Sequence, residues 1–136
     1  LLIIAGAGAF KQIMIATETS IQIGTFLQSL GLSPIILAWL IAAIIRIIVG
    51  SATVAGLTAA GIMLPMVENS GIAPELLVLA TGAGSIFFSH INDGGFWLFK
   101  EYFNMSIKET LQSWTVMESI VSLVGLLGVL ILNLIL

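Results

Sequence analysis

The chain has 136 residues, of which 59% are hydrophobic and 8% charged. A soluble domain carries about a quarter charged residues, so four basic and seven acidic side chains are too few to clothe a water-soluble globule of this size. Soluble enzymes, nucleic-acid-binding proteins and secreted disulfide scaffolds are excluded, and an all-α integral membrane protein is expected. With no cysteine and one histidine, no disulfide, thiolate nucleophile, cysteine-bound metal or histidine cluster can form. The net charge of −3 is too small to steer a partner.

The chain opens Leu1-Leu2-Ile3-Ile4 with no basic segment ahead of an apolar core, unlike a signal peptide. It reads as the C-terminal part of a longer polypeptide. Residues 1–16 are apolar apart from Lys11 and are expected to form a membrane helix, with Gly6 and Gly8 permitting close packing. A polar segment, Thr17-Glu18-Thr19-Ser20, follows. Ile21, Ile23, Phe26, Leu27 and Leu30 then recur at near-helical spacing, which predicts an interfacial amphipathic helix over 20–31.

Residues 34–67 form the most informative stretch. Ser33-Pro34 is a helix start, a capping hydroxyl followed by proline at the first position. As one helix the stretch would reach about 51 Å. A bilayer core is ~30 Å thick, so it is too long for one span and too short for two spans and a turn. Its middle, Gly50-Ser51-Ala52-Thr53-Val54-Ala55-Gly56, is small and partly polar. A re-entrant helical hairpin fits best, with its tip near the midplane. Unpaired backbone at that depth needs surrounding protein or a water-filled cavity.

Residues 74–103 open with Pro74-Glu75, the acid favourable in the first helical turn. Leu76 to Phe88 is apolar, Ser89-His90-Ile91-Asn92-Asp93-Gly94-Gly95 is polar and glycine-rich, and apolar character resumes at Phe96. A transmembrane helix broken in its middle is predicted. Residues 106–136 form the last span: Ser106 to Glu109 has the spacing of a capping box, and Ser119 to Leu136 is uncharged, long enough for one crossing. Lys100 and Lys108 place the loop between these two elements in the cytoplasm by the positive-inside rule. The C-terminus and hairpin mouth would then face outward.

Three polar features interrupt apolar runs, and ionisable groups inside a membrane are functional by default. Arg46, one turn before the hairpin tip, offers a two-pronged donor for an anion; the alternatives are a structural pair with a carboxylate or snorkelling to an interface. The tip offers the Ser51 and Thr53 hydroxyls and the amides of a half-helix N-terminus, suited to a carboxylate; the alternative is close packing of small residues. In the break, His90 titrates near neutrality and Asp93 can hold a proton, so both are candidates for proton coupling. Ser89 and Asn92 can bond substrate hydroxyls. One histidine and one aspartate are too few for a metal. Glu118 and the other charges fit interfaces and helix ends, and Trp39, Trp97 and Trp114 fit packing or an aromatic belt. Gly6-Ala7-Gly8 is not a nucleotide loop. Two discontinuous elements with polar tips at one depth make a transporter pattern, without the filter segment of a channel.

At these residues the chain resembles the gluconate permease family of bacterial proton symporters. The matching runs are Gly8 to Gln12, Arg46 to Ala55 (RIIVGSATVA), Thr58 to Ile62, Pro74 to Leu76, Ser89 to Lys100 (SHINDGGFWLFK) and Gln112 to Glu118 (QSWTVME). They cover nearly the whole chain, which would be roughly the C-terminal third of such a permease. The resemblance implies the ion-transporter superfamily fold of two inverted repeats, this chain holding most of the second. It implies substrate contacts at Ser51, Thr53, Asn92 and Asp93, and elevator-like alternating access with hairpin and broken helix moving as one body.

The expected function is proton-coupled symport of gluconate or a related sugar acid across the bacterial inner membrane by a multi-pass protein. Arg46, Ser51, Thr53, Ser89, Asn92 and Asp93 would bind substrate, and His90 or Asp93 would take the proton. No cofactor is expected beyond the proton gradient. The partners are the anionic substrate, protons, the lipid bilayer and the missing N-terminal part of the same chain, with a homo-oligomer left open and no nucleic acid. The alternatives are a permease of the same fold for D-serine or another small hydroxy acid, and a non-transporting membrane scaffold subunit. A membrane-embedded enzyme lacks a nucleophile–base pair or metal set.

Overall fold

The computed structural model describes residues 31–67 and 71–136. The helices expected over 1–16 and 20–31 lie outside these residues, apart from Gly31. Every regular element among the described residues is a helix, with no strand: α1 (Pro34–Val49), α2 (Ala52–Val67), α3 (Pro74–Ser85), α4 (Gly94–Tyr102), α5 (Ile107–Thr110), a π-helical turn (Leu111–Thr115) and α6 (Val116–Ile135).

The apolar run from Pro34 is not one rod. Proline starts α1, but the Ser33 hydroxyl, expected to cap it, makes no cap hydrogen bond. Gly50 ends it in the left-handed region, φ +74°, and its N–H closes on the Arg46 carbonyl at 2.8 Å. Glycine is needed there for a second reason: a Cβ would sit 2.3 Å from the backbone oxygen of Asn92. Ser51 starts α2, its hydroxyl accepting a long 3.4 Å bond from the Val54 N–H. Two 16-residue helices thus double back across a two-residue turn and pack together. Each is about 24 Å long, shorter than a bilayer core.

α3 packs against both limbs. Their shared core is aliphatic: Ile35, Leu37, Ala38, Ile41 and Ala42 from α1, Ala59, Ile62 and Met63 from α2, Leu76, Leu77 and Ala80 from α3, with Val129 from α6. At Gly84 the α1 backbone comes so near that a Cβ would lie 2.3 Å from the Trp39 carbonyl oxygen. α2 and α3 leave an apolar groove of about 690 Å³, lined among others by Thr53, Gly56, Met63, Leu77 and Thr81.

The break after α3 begins earlier than the apolar pattern suggests. The helix stops at Ser85 rather than running to Phe88. The Ser85 hydroxyl bonds back to the Gly82 carbonyl at 2.7 Å, a contact that competes with the helical ladder. Phe88 then takes φ +52°, a conformation costing a non-glycine residue about 1–2 kcal/mol. Its ring packs between Phe87 and His90.

The capping box at Ser106 and Glu109 is complete, with both reciprocal bonds formed. From there the chain stays helical to Ile135, the one helix among the described residues long and apolar enough to cross a membrane. This agrees with the span expected over 106–136, with a π-turn, Leu111–Thr115, inside it. Its outer face is apolar, with Val124 60% and Ile131 57% exposed. Its inner face is richer in small and polar residues: Thr115 and Ser122 are buried along with Val129, and Gly125 lies against Ala83. This inversion of the soluble pattern suits a helix in lipid. Ser122 bridges three helices, accepting from Trp39 Nε1 at 3.0 Å and donating to the Ala83 carbonyl at 2.6 Å.

Replacing Gly84 by Ala should force α1 and α3 apart and lower stability by about 1–3 kcal/mol. Gly82→Ala, where a Cβ meets nothing within 4 Å, should be neutral or stabilising. Thermal unfolding of the two variants of the full-length protein in detergent checks the difference.

Candidate functional site

The polar residues of the hairpin and the break meet where α1 ends and α4 begins. Asp93 caps α4, its Oδ1 accepting the Gly95 N–H at 3.0 Å. Its Oδ2 accepts from Arg46 Nη2 at 2.5 Å and from the Ser89 hydroxyl. Both ion-pair partners are shielded, the Arg46 side chain 4% and that of Asp93 15% exposed. Such a pair persists in low dielectric only when further hydrogen bonds complete it. Here they do so for Asp93, which takes three donors.

Ser89 is held from the last helix. Trp114 Nε1 donates to its hydroxyl at 2.7 Å and the Thr115 hydroxyl donates to its carbonyl at 2.5 Å. An indole N–H can only donate, so the Ser89 hydrogen is directed to Asp93. Trp114 also stacks on Phe99, ring centroids 5.0 Å apart, and lies over Gly95, where a Cβ would be 3.5 Å from its ring. The π-turn carries both Trp114 and Thr115. Turns of this kind occur often at functional sites.

Asn92 fastens the break to the hairpin. Its Nδ2 donates to the Ile47 and Ile48 carbonyls at 2.9 and 3.4 Å, two acceptors that the end of α1 leaves without helical partners. Its backbone lies against Gly50. Arg46, Ser89, Asn92 and Asp93 therefore belong to one constellation, with the Gly50–Ser51 turn beside it. Thr53 is not in it and lines the apolar groove instead. The His90 ring stacks on Phe88 at 5.6 Å, its Nδ1 buried and without a hydrogen-bond partner among the described residues.

Sequence reasoning left Arg46 without a partner and treated Trp114 as a packing or belt residue. It did not single out Thr115. Thr115, Glu118, Ser119 and Ser122 recur at helical spacing through an apolar run, a polar stripe that marks the inward face of the helix. Arg46 also has donors to spare. It is 3% exposed, and its Nε and Nη1 are buried without partners among the described residues. A guanidinium with one nitrogen engaged and two free can receive an additional anion.

The GntP family permease model matches residues 1–135. The chain belongs to this permease family. It is 51% identical over 135 residues to the high-affinity gluconate transporter of Escherichia coli (strain K12), covering 99% of this chain and 31% of that protein. It is 54% identical over 136 residues to the gluconate permease of Pseudomonas aeruginosa, covering 99% and 30%. The Gnt-II system L-idonate transporter of Escherichia coli (strain K12) is 52% identical over 131 residues, covering 96% and 30%. These are named as transporters and permeases, not enzymes. This GntP chain thus spans about 30% of the length of the curated relatives it matches, a fragment of a membrane protein. No solved structure matches it.

In the GntP chain, Asp93→Ala leaves the Arg46 charge buried and uncompensated. It should cost the full-length permease about 3–5 kcal/mol. Adding Arg46→Met should recover most of that loss. Unfolding in detergent of the single and double variants measures the coupling; a double variant as unstable as the sum of two singles would mean the pair does not act as a unit.

Proposed function

We propose that the full-length protein takes up gluconate or a closely related sugar acid together with protons across the bacterial inner membrane, and that this chain supplies part of the substrate site. One observation carries the proposal. A nearly fully buried arginine keeps two donors unpartnered among the described residues, where the hairpin turn meets the helix break. A carboxylate is the ligand that such a fork suits. The names of the relatives support the substrate class: two name gluconate and one L-idonate, both polyhydroxy acids with one carboxylate.

In this reading α1 and α2 form a re-entrant hairpin with Gly50 and Ser51 near the midplane, inside the second of two inverted repeats in a multi-pass protein. Their short length and the polar cluster at the turn support it. Arg46 holds the substrate carboxylate. The Ser51 hydroxyl, on the turn, and the Asn92 side chain, on the break that meets it, would make further contacts, while Ser89 and Asp93 hold Arg46 in place. Thr53 would join them from the groove side of α2. The proton gradient supplies the energy, without a cofactor. The rest of the site comes from the N-terminal part of the same chain, within lipid.

Uptake of radiolabelled gluconate by the full-length protein in vesicles, with and without an imposed proton gradient, tests this reading. The gradient should raise accumulation, unlabelled L-idonate should compete, and D-serine should not. Competition by D-serine would favour a permease for small hydroxy acids, and no uptake would favour a scaffold subunit. Arg46→Lys keeps the charge but loses the fork, and should lower gluconate affinity at least about tenfold, the worth of one charge-assisted hydrogen bond.

A further inference from the structure

Asp93 is held as a carboxylate in this arrangement. Its two oxygens take three hydrogen bonds, and each partner is a donor: the Arg46 guanidinium, the Gly95 N–H, and the Ser89 hydroxyl aimed by Trp114. A proton on Asp93 would face the Arg46 guanidinium and the Gly95 N–H, which can only donate, and a Ser89 hydroxyl that already accepts from Trp114. The carboxylate is built as a permanent counter-ion.

A second carboxylate stands on the inward face of α6. Glu118 follows Thr115 by three residues and Trp114 by four, and precedes Ser122 by four. Residues at these spacings share a helix face, and Trp114, Thr115 and Ser122 all bond inward, to Ser89 and Ala83. Glu118 is partly buried on that face. Its carboxylate has no hydrogen-bond or ion-pair partner among the described residues, and Thr115, one turn earlier on the same face, bonds to Ser89, which bonds to Asp93, the partner of Arg46. Through these bonds the charged groups next to that face are Arg46 of α1 and Asp93 of the helix break. On α3 the one charged residue is Glu75, in the opposite, first turn. Lys100 and Glu101 of α4 pair with each other, and the His90 ring lies against Phe88. Lys108 and Glu109 stand at the head of the helix, before the π-turn.

We propose that Glu118 is the proton-coupling carboxylate of this permease, and that Asp93 is the fixed partner of Arg46. The proposal rests on the proton-coupled transport reading above. Its logic is a charge count. Arg46 and Asp93 cancel, so an ionised Glu118 leaves the site at −1. An incoming sugar-acid anion then meets net repulsion in a medium that screens poorly. A proton taken from water by the Glu118 carboxylate forms the neutral acid, removes that repulsion and enters with the anion. By linkage, the anion in turn tightens proton binding by the same factor.

The test is gluconate binding to the purified full-length permease across pH, with proton uptake on binding followed by a dye in weak buffer. In the wild type, affinity should fall about tenfold per pH unit above the titration range of Glu118, the slope of one linked proton. In Glu118→Gln the slope should be flat and proton uptake lost. Glu118→Asp should keep the slope with a displaced midpoint, and it carries the test if the glutamine variant does not fold. His90→Gln should retain the slope, as should the control Glu75→Gln. A wild-type slope in Glu118→Gln, an unmoved midpoint in Glu118→Asp, or a flat slope in His90→Gln overturns the proposal while proton coupling stands. A wild-type protein with pH-independent binding overturns the proposal and proton coupling together.

Discussion

The structure depends on a buried ion pair between two elements that are each interrupted. Arg46 stands one turn before the end of α1, and Asp93 opens α4. A lone charge inside a membrane protein is costly, so the hairpin and the break cannot separate without exposing both charges to an apolar setting. The surrounding bonds all act on this pair. Asn92 closes the end of α1, Gly95 and Ser89 complete the carboxylate, and Trp114 and Thr115 hold Ser89. A short polar cluster results, on the same helix α1 that carries part of the aliphatic core shared with α2 and α3.

The last helix is more than a membrane anchor. Its inward stripe reaches α3 through Ser122 and Gly125, α1 through Trp39, and the break through Trp114 and Thr115. Interhelical hydrogen bonds in membrane proteins contribute about 0.6 kcal/mol each. No single one decides the packing, but together they fix rotation about the helix axis, which apolar contacts with lipid leave free. The hairpin, the break and α6 are therefore one packed body within this chain.

Much of this was legible in the sequence because the bilayer sets a length scale. An apolar run too long for one span and too short for two had to be interrupted, and the interruption falls at Gly50-Ser51, where small and polar residues gather. The polar run from Ser89 to Gly95 likewise marks where α3 and α4 are separated. The pairings were not legible. Arg46 and Asp93 are 47 residues apart, and nothing local says which carboxylate a buried arginine will meet. Trp114 looks like any interfacial tryptophan until Ser89, 25 residues away, is placed beneath its indole nitrogen. The early stop at Ser85 follows from one hydroxyl bonding back to its own helix, a choice that hydropathy does not record.

The π-turn at Leu111–Thr115 gives this arrangement a mechanical character. A π-turn holds one more residue than an α-helical turn over nearly the same rise. Its two flanks are therefore out of phase by about 100°, one residue's rotation. The capped end at Ser106 can thus be oriented for the interface while the stretch from Val116 onward is oriented for the polar core, each without compromising the other. The turn works as a vernier: deleting a single residue within it would rotate one flank against the other and swing the inward stripe toward lipid, though every remaining side chain would still be present.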